Sequence, residues 1–297
     1  MPVIDAHVHV FPPEVKRRRE ALCMMDDYFR ELYEDPRVKI ATAEDLLAEM
    51  DEAGVDISIM CGFGWASDDL CQMHNDYMLD SIRRYPTRLA ALAAVQPLHA
   101  DRALQELERC MSGGMVGAGE LMPNGQGYLL DDIDRLRPFF AEVEAERVVV
   151  MTHATEPVGR FYPGKESVTP DVIWSLVQAY PDLKLVLAHW GGGYPFYELM
   201  PEVRGASQNV YYDSAASTYL YSQQVFLHIG QIVGYERVLW ATDFPVLTQR
   251  RFIARMRQLP LSESDRDAVL GENAARLFGL GGRARSRADD AFRSWAF

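Results

Sequence analysis

Eight short apolar runs recur along the chain: VIDAHVHV (3–10), VDISIMCG (55–62), RLAALAAV (88–95), GMVGAGEL (114–121), RVVVMTHA (147–154), LKLVLAHW (183–190), NVYYDSAA (209–216) and RVLWATDF (237–244). Runs this short and this rich in branched aliphatic residues read as buried strands. Most of the gaps carry apolar residues at helical spacing. Examples are TAEDLLAEMDEAG (42–54), HNDYMLDSIRRYP (74–86), DRALQELERCMSG (101–113) and DIDRLRPFFAEVEAE (132–146), followed by TPDVIWSLVQAYPD (169–182), YSQQVFLHIGQIVGYE (221–236) and RRFIARMRQLPLSE (250–263). Strand alternating with helix predicts a parallel sheet with helices outside it. Eight repeats predict a single closed (β/α)8 TIM barrel over residues 1–280, followed by a tail over 281–297 that packs or frays. An open doubly wound sheet competes, but it normally announces a glycine-rich phosphate loop after its first strand. Here that strand runs into HVHVFPP instead.

Local signals agree with this order. Thr42 with Asp45 three residues on approaches a capping box, and Asp101 and Thr169 stand just before helical patterns. Pro170 suits a first helical position, and Gly54 and Gly113 suit helix ends. Three connections are too long for a minimal barrel: residues 11–41 after strand one, 154–168 after strand five and 190–201 after strand six. Loops at the C-terminal ends of barrel strands build active sites, so these are expected to be walls or lids.

Candidate chemistry collects at the same end. His7 and His9, two apart on a strand, share one face. His153, His189, Asp243 and Glu120 each stand where an apolar run stops. Burying such groups without pairing is costly, so their common position predicts a metal site. His7, His9, His153 and Asp243 supply three imidazoles and a carboxylate, a set suited to one Zn2+, with Mn2+, Fe2+ or Co2+ also compatible. Asp243 and His189 are the candidate catalytic residues, as proton acceptor and as base or electrophile. Glu120 is expected to bridge a second metal, to hydrogen-bond substrate or to fix a ligand histidine, and Asp5, deeper on the same face, to support the fold or the ligands rather than hold the metal. His74, His99 and His228 are assigned to packing or surface. Arg160 and Lys165 are candidate clamps for an anionic substrate. Trp190 and Tyr194, with Trp65, Phe161, Tyr162 and Phe196, are candidate pocket walls.

The opening IDAHVHVF, His153 after strand five, HWGGGYPF after strand six and WATDFP after strand eight together resemble the amidohydrolase superfamily. More narrowly they resemble its amidohydrolase-related family, the branch containing aminocarboxymuconate-semialdehyde decarboxylase. The resemblance spans roughly residues 1–280. It implies that His7, His9, His153 and Asp243 hold the metal and that His189 assists substrate or water. Glu120 falls where other members place a bridging carboxylated lysine or glutamate, and the absence of a lysine there favours one metal over two. The family includes hydrolases, decarboxylases and hydratases, so the resemblance leaves the reaction open.

The reading carried forward is metal-dependent hydrolysis of a lactone, amide or dicarbonyl compound by activated water. Non-oxidative decarboxylation of an unsaturated or aromatic acid is the main alternative, with a hydratase and a non-enzymatic binding barrel behind it. Thirty Lys and Arg against 43 Asp and Glu give a net charge of −13, which argues against nucleic acid and anionic membrane as partners. Four cysteines without paired spacing argue against thiolate zinc. The opening residues show no signal peptide and no run suits a membrane span, so a cytoplasmic enzyme is expected. A homodimer is a reasonable expectation; no organic cofactor is expected.

Overall fold

The computed structural model describes residues 1–281, and the predicted tail beyond them lies outside the described residues. Among the described residues eight strands occur in the expected order: β1 (Ile4–Val8), β2 (Ile57–Met60), β3 (Leu89–Ala91), β4 (Ala118–Leu121), β5 (Val149–Thr152), β6 (Lys184–Leu187), β7 (Val210–Asp213) and β8 (Val238–Leu239). Sequential neighbours pair in parallel, in ladders β1–β2–β3 and β4 through β8. Bridges Ala93–Ala118 and Val8–Phe244 join the two ladders at both seams, closing the (β/α)8 barrel.

The strands are shorter than the apolar runs that announced them. Run 88–95 gives a strand of only Leu89–Ala91 and run 237–244 one of only Val238–Leu239, with Ala93 and Phe244 beyond them held by single bridges. The residues that follow stay buried but leave the ladder, which frees them to turn into the barrel mouth. The outer helices follow the predicted periodicity closely. Helix Ala43–Ala53 begins with the capping box: Thr42 Oγ1 accepts from Asp45 N, and the Asp45 carboxylate accepts from Thr42 N at 2.9 Å. It ends at Gly54, whose φ of 76° is the left-handed stop that glycine adopts freely.

The packing has three parts. Ile4, Ala6, Ile59, Leu92, Met151, Val186 and Leu239 fill the barrel interior together with Leu277 and Phe278, at the end of the last described helix. A larger layer separates strands from helices. The third part caps the mouth: the long connection after β1 folds into helices Pro13–Arg17, Arg19–Met25 and Asp27–Tyr33. These bury Tyr28, Phe29 and Tyr33 against Phe11, Phe63 and Trp65. Edge-to-face and stacked ring contacts of 4.7–6.2 Å bind that cluster. Asp26 fastens the cap by accepting from Phe29 N at 2.8 Å and from Ala66 N at 3.1 Å. No helix of the described residues is long and apolar enough to cross a membrane.

Candidate metal centre

Strand ends place the chemical groups. His7 lies on β1 and His9 just beyond it, Glu120 lies on β4 and Asp213 ends β7. His153 directly follows β5, and His189 follows β6 after Ala188. Asp243 follows β8 after a short extension. Gly119 lets β4 deliver its carboxylate, because a Cβ there would stand 2.4 Å from the Met151 carbonyl oxygen. His189 and Asp243 have φ of 54° and 61°, left-handed values that cost non-glycine residues energy and commonly mark functional sites.

Glu120 is the hub. Its Oε2 lies 3.3 Å from Nε2 of both His7 and His9. Its Oε1 lies 2.9 Å from His153 Nδ1 and 3.7 Å from His189 Nε2. Burial favours a neutral carboxyl, yet His7, His153 and His189 hold Glu120 well below the usual carboxylate range. Asp243 Oδ1 stands further off, 3.5 Å from His9 and 3.9 Å from His7. Among the described residues two donor groups result: His7, His9 and Asp243 form one, and Glu120, His153 and His189 the other. The four expected ligands therefore divide, with His153 in the second group and Glu120 joining the two.

The outward nitrogens decide what faces inward. His7 Nδ1 meets the Asp213 carboxylate at 2.8 Å, His153 Nε2 meets the Gly164 carbonyl at 3.0 Å and His189 Nδ1 meets the Ala215 carbonyl at 3.2 Å. Each partner can only accept, so each of these nitrogens carries the proton. A neutral ring then aims a bare lone pair inward from each of the three histidines. His7 Nε2 is 3.0 Å from His9 Nε2, and His9 Nδ1 is buried with no partner. Lone pairs and carboxylates converging in this way repel one another unless protons or a cation intervene. Without a cation, burial opposes charge on His153 but Glu120 draws a proton onto it, raising its pKa to about 9. The donors fit a single divalent cation.

The remaining expectations separate. Asp5 accepts from Thr242 Oγ1 at 2.6 Å and Gln249 Nε2 at 2.8 Å, tying β1 to the far end of the chain. Burial lifts it to about 6, against those hydrogen bonds. His74 is buried, His99 pairs with Asp68 at the surface and His228 is exposed. Lys165 Nζ is engaged by the Val158 and Arg160 carbonyls at 2.7 and 3.3 Å and holds its own loop together; Arg160 is exposed. Trp190 and Tyr194 are corrections to the pocket-wall expectation. Trp190 is buried edge-on to Phe226 and donates to Ser217 Oγ at 2.6 Å, while the Tyr194 hydroxyl pairs with Ser207 at 3.0 Å. Left-handed φ from Trp190 through Gly193 turns this segment into the layer between strands and helices. Trp65 is buried in the cap cluster, and Phe161 is 80% exposed. Asp213 was not singled out, although it ends NVYYD as the site residues end their own runs.

A closed parallel barrel with buried imidazoles and carboxylates at its C-terminal mouth defines a metal-assisted barrel enzyme. The chain belongs to the amidohydrolase family, whose model, described as Amidohydrolase, matches residues 4–280. It is similar to gamma-resorcylate decarboxylase of Rhizobium radiobacter, at 25% identity over 72% of this chain and 77% of the relative. It is also similar to 2-amino-3-carboxymuconate-6-semialdehyde decarboxylase of Dictyostelium discoideum, at 26% identity over 93% of this chain and 91% of the relative. The fold matches a dihydroxybenzoic acid decarboxylase from Polaromonas, solved with manganese and the inhibitor 2-nitroresorcinol, with a TM-score of 0.73 and 21% identity, covering 96% of this chain and 98% of that one. These findings overturn the expectation of hydrolysis. The metal site is common to several bond changes, and the relatives' named reaction is loss of carbon dioxide.

Proposed function

We propose that the chain is a metal-dependent, non-oxidative decarboxylase of a small aromatic or unsaturated carboxylic acid. The observation that supports this most is the decarboxylase relative of Dictyostelium discoideum, which matches over 93% of the chain, barrel and metal centre together. His7, His9, His153 and Asp243 hold the metal in this reading, with Glu120 between them. The donor set is rich in imidazole, so we assign zinc. Metal analysis of protein purified without chelator tests the assignment, and manganese in its place would overturn it.

When bound, the metal supplies positive charge that fixes the substrate carboxylate and a neighbouring oxygen. The protein's own residues do the rest. Asp243, the site carboxylate with 13% of its side chain exposed, delivers a proton to the carbon bearing the carboxylate. The bond to the carboxylate carbon then breaks. Its electron pair returns to the ring or double bond, and carbon dioxide leaves. The net change is RCOO− plus H+ giving RH plus CO2. His189, fixed by the Ala215 carbonyl, orients the acid. The cap of Tyr28, Phe29, Tyr33 and Trp65 excludes water from the protonated intermediate.

A panel of hydroxylated benzoic acids and unsaturated dicarboxylic acids, assayed for carbon dioxide beside lactones and amides, tests this reading. Carbon dioxide from at least one acid is expected. Turnover confined to lactones or amides, or hydration without gas release, would overturn it.

A further inference from the structure

The loop after β5 touches the centre at one atom and the cap at another, and both belong to Gly164. Its carbonyl accepts from His153 Nε2 at 3.0 Å. Its amide donates to Glu31 Oε1 at 2.9 Å, on cap helix Asp27–Tyr33. One residue thus connects a surface carboxylate to a ring nitrogen of the metal centre, through its amide on one side and its carbonyl on the other.

Three further observations show that this contact is built in. Gly164 has φ of 84°, and a Cβ there would stand 2.9 Å from Leu32 Cδ2, so the cap helix closes directly over a glycine. The loop is anchored on its other side by Thr155, whose Oγ1 donates to the Glu166 carbonyl at 2.8 Å and whose amide donates to Val168 O at 2.8 Å. The same helix is fastened to the loop after β2 through Asp26 and Ala66. The cap therefore bridges the loops after β2 and β5, and Glu31 forms a polar contact with the second, beside the hydrogen bond of Tyr28 with Glu166.

We infer that Glu31 is a positioning residue for His153, acting through Gly164 to hold Nε2–H on the Gly164 carbonyl and so keep Nδ1 turned toward Glu120 and the metal centre. The ring has two nitrogens, and the bond made by the outer one decides which nitrogen serves the metal. The Gly164 carbonyl lies in the peptide whose Lys165 amide donates to Tyr162 O at 3.1 Å, and Glu31 holds the preceding amide; without Glu31 this turn is fixed at one end alone, and the carbonyl is held less firmly against His153 Nε2. The coupling is reciprocal: a metal that needs this ring orientation favours the docked cap by the same factor. Cap closure and metal binding thus become one equilibrium. This inference rests on the metal-centre reading above, but the geometry of the His153 ring is open to measurement without metal.

The test compares wild type, Glu31→Ala and Glu31→Gln. Glu31 is exposed, so neither change threatens the fold. The first readout, in metal-free protein, is the ring N–H signal of His153 in 15N-correlated NMR. A hydrogen-bonded Nε2–H is protected from solvent exchange in wild type. It should broaden or vanish in Glu31→Ala and return in Glu31→Gln, whose amide oxygen still accepts from Gly164 N. The second readout is zinc affinity by competition with a chromophoric chelator. Partners that orient ligands are worth 10- to 100-fold in affinity, and Glu31 acts one bond further out, so Glu31→Ala should weaken zinc by roughly 3- to 10-fold and Glu31→Gln by much less. An unchanged ring signal together with unchanged zinc affinity in Glu31→Ala would overturn the inference. A wild-type chain that binds no divalent metal, yet whose ring signal still depends on Glu31, would contradict the metal reading and leave the positioning role standing.

Discussion

Asp213 Oδ2 stands 2.8 Å from His7 Nδ1, and this contact turns the opposite nitrogen of His7 toward His9, 3.0 Å away. The other carboxylate oxygen accepts from the amides of His189 and Ala215 at 2.9 and 3.0 Å. One side chain thus orients a histidine on β1 and the backbone that carries a second histidine beyond β6.

Asp213→Asn should therefore damage the centre without dismantling the barrel. An asparagine keeps Oδ1 on the two backbone amides and presents its NH2 to His7. That donor demands a lone pair on Nδ1 and forces the proton onto Nε2, where the metal belongs. Metal affinity should fall about 10- to 100-fold, measured by chelator competition, with the circular dichroism spectrum unchanged. Affinity equal to wild type would contradict the assigned proton positions.

Asp243→Asn should separate proton delivery from metal binding. The amide keeps its oxygen but has no proton to give to carbon. Asp243 also holds the ion in this reading, so the variant is assayed with metal in excess of its weakened affinity; turnover per bound metal should then drop by roughly 10²- to 10⁴-fold, the usual worth of a general acid. Near-normal release of carbon dioxide with metal retained would remove Asp243 from the mechanism.

Trp190→Phe tests the packing assigned to the strand-six loop. The variant loses the bond to Ser217 and part of the edge contact with Phe226, at a cost of about 1–3 kcal/mol in stability. The denaturant midpoint should fall while KM for the substrate stays at its wild-type value. A large rise in KM with unchanged stability would return Trp190 to the substrate wall.

His74 predicts a particular pH dependence. Burial drives its pKa down from 6.5 to about 4, against the Val10 carbonyl that bonds its Nε2. The unfolded chain takes up a proton near 6.5 that the folded one refuses until about 4. The stabilisation is full above 6.5 and is lost as pH falls through that window, by on the order of 3 kcal/mol in all. Urea unfolding between pH 7 and 4.5 should give a shallower slope of stability against pH in His74→Phe than in wild type. Equal slopes would show that His74 does not stay neutral.

The barrel was readable because its strands are buried on both faces and so write continuous apolar runs, and because the capping box at Thr42 marks a helix start. His153, His189 and Asp243 were readable for a related reason: a polar group that ends an apolar run is conspicuous. Asp213 ends NVYYD in the same manner and could have been found by the same rule. The centrality of Glu120 could not, because it depends on four histidines from β1, β5 and β6 meeting across the barrel. Trp190 and Tyr194 were misplaced because an aromatic residue in a strand-end loop gives no sign of which way the backbone turns it. Here left-handed φ from Trp190 to Gly193 turns them outward. The reaction itself was not legible, since the same donors serve hydrolysis and decarboxylation alike.

Titration of stripped protein with metal tests the central claim most directly. The chain is freed of metal by chelator, divalent metal is added back in fractions of an equivalent, and carbon dioxide is measured with an acid from the active panel. Release should be absent at zero metal, rise in proportion and level off at one equivalent per chain. Carbon dioxide release that survives stripping, or a plateau at two equivalents, would contradict a single metal centre organised around Glu120.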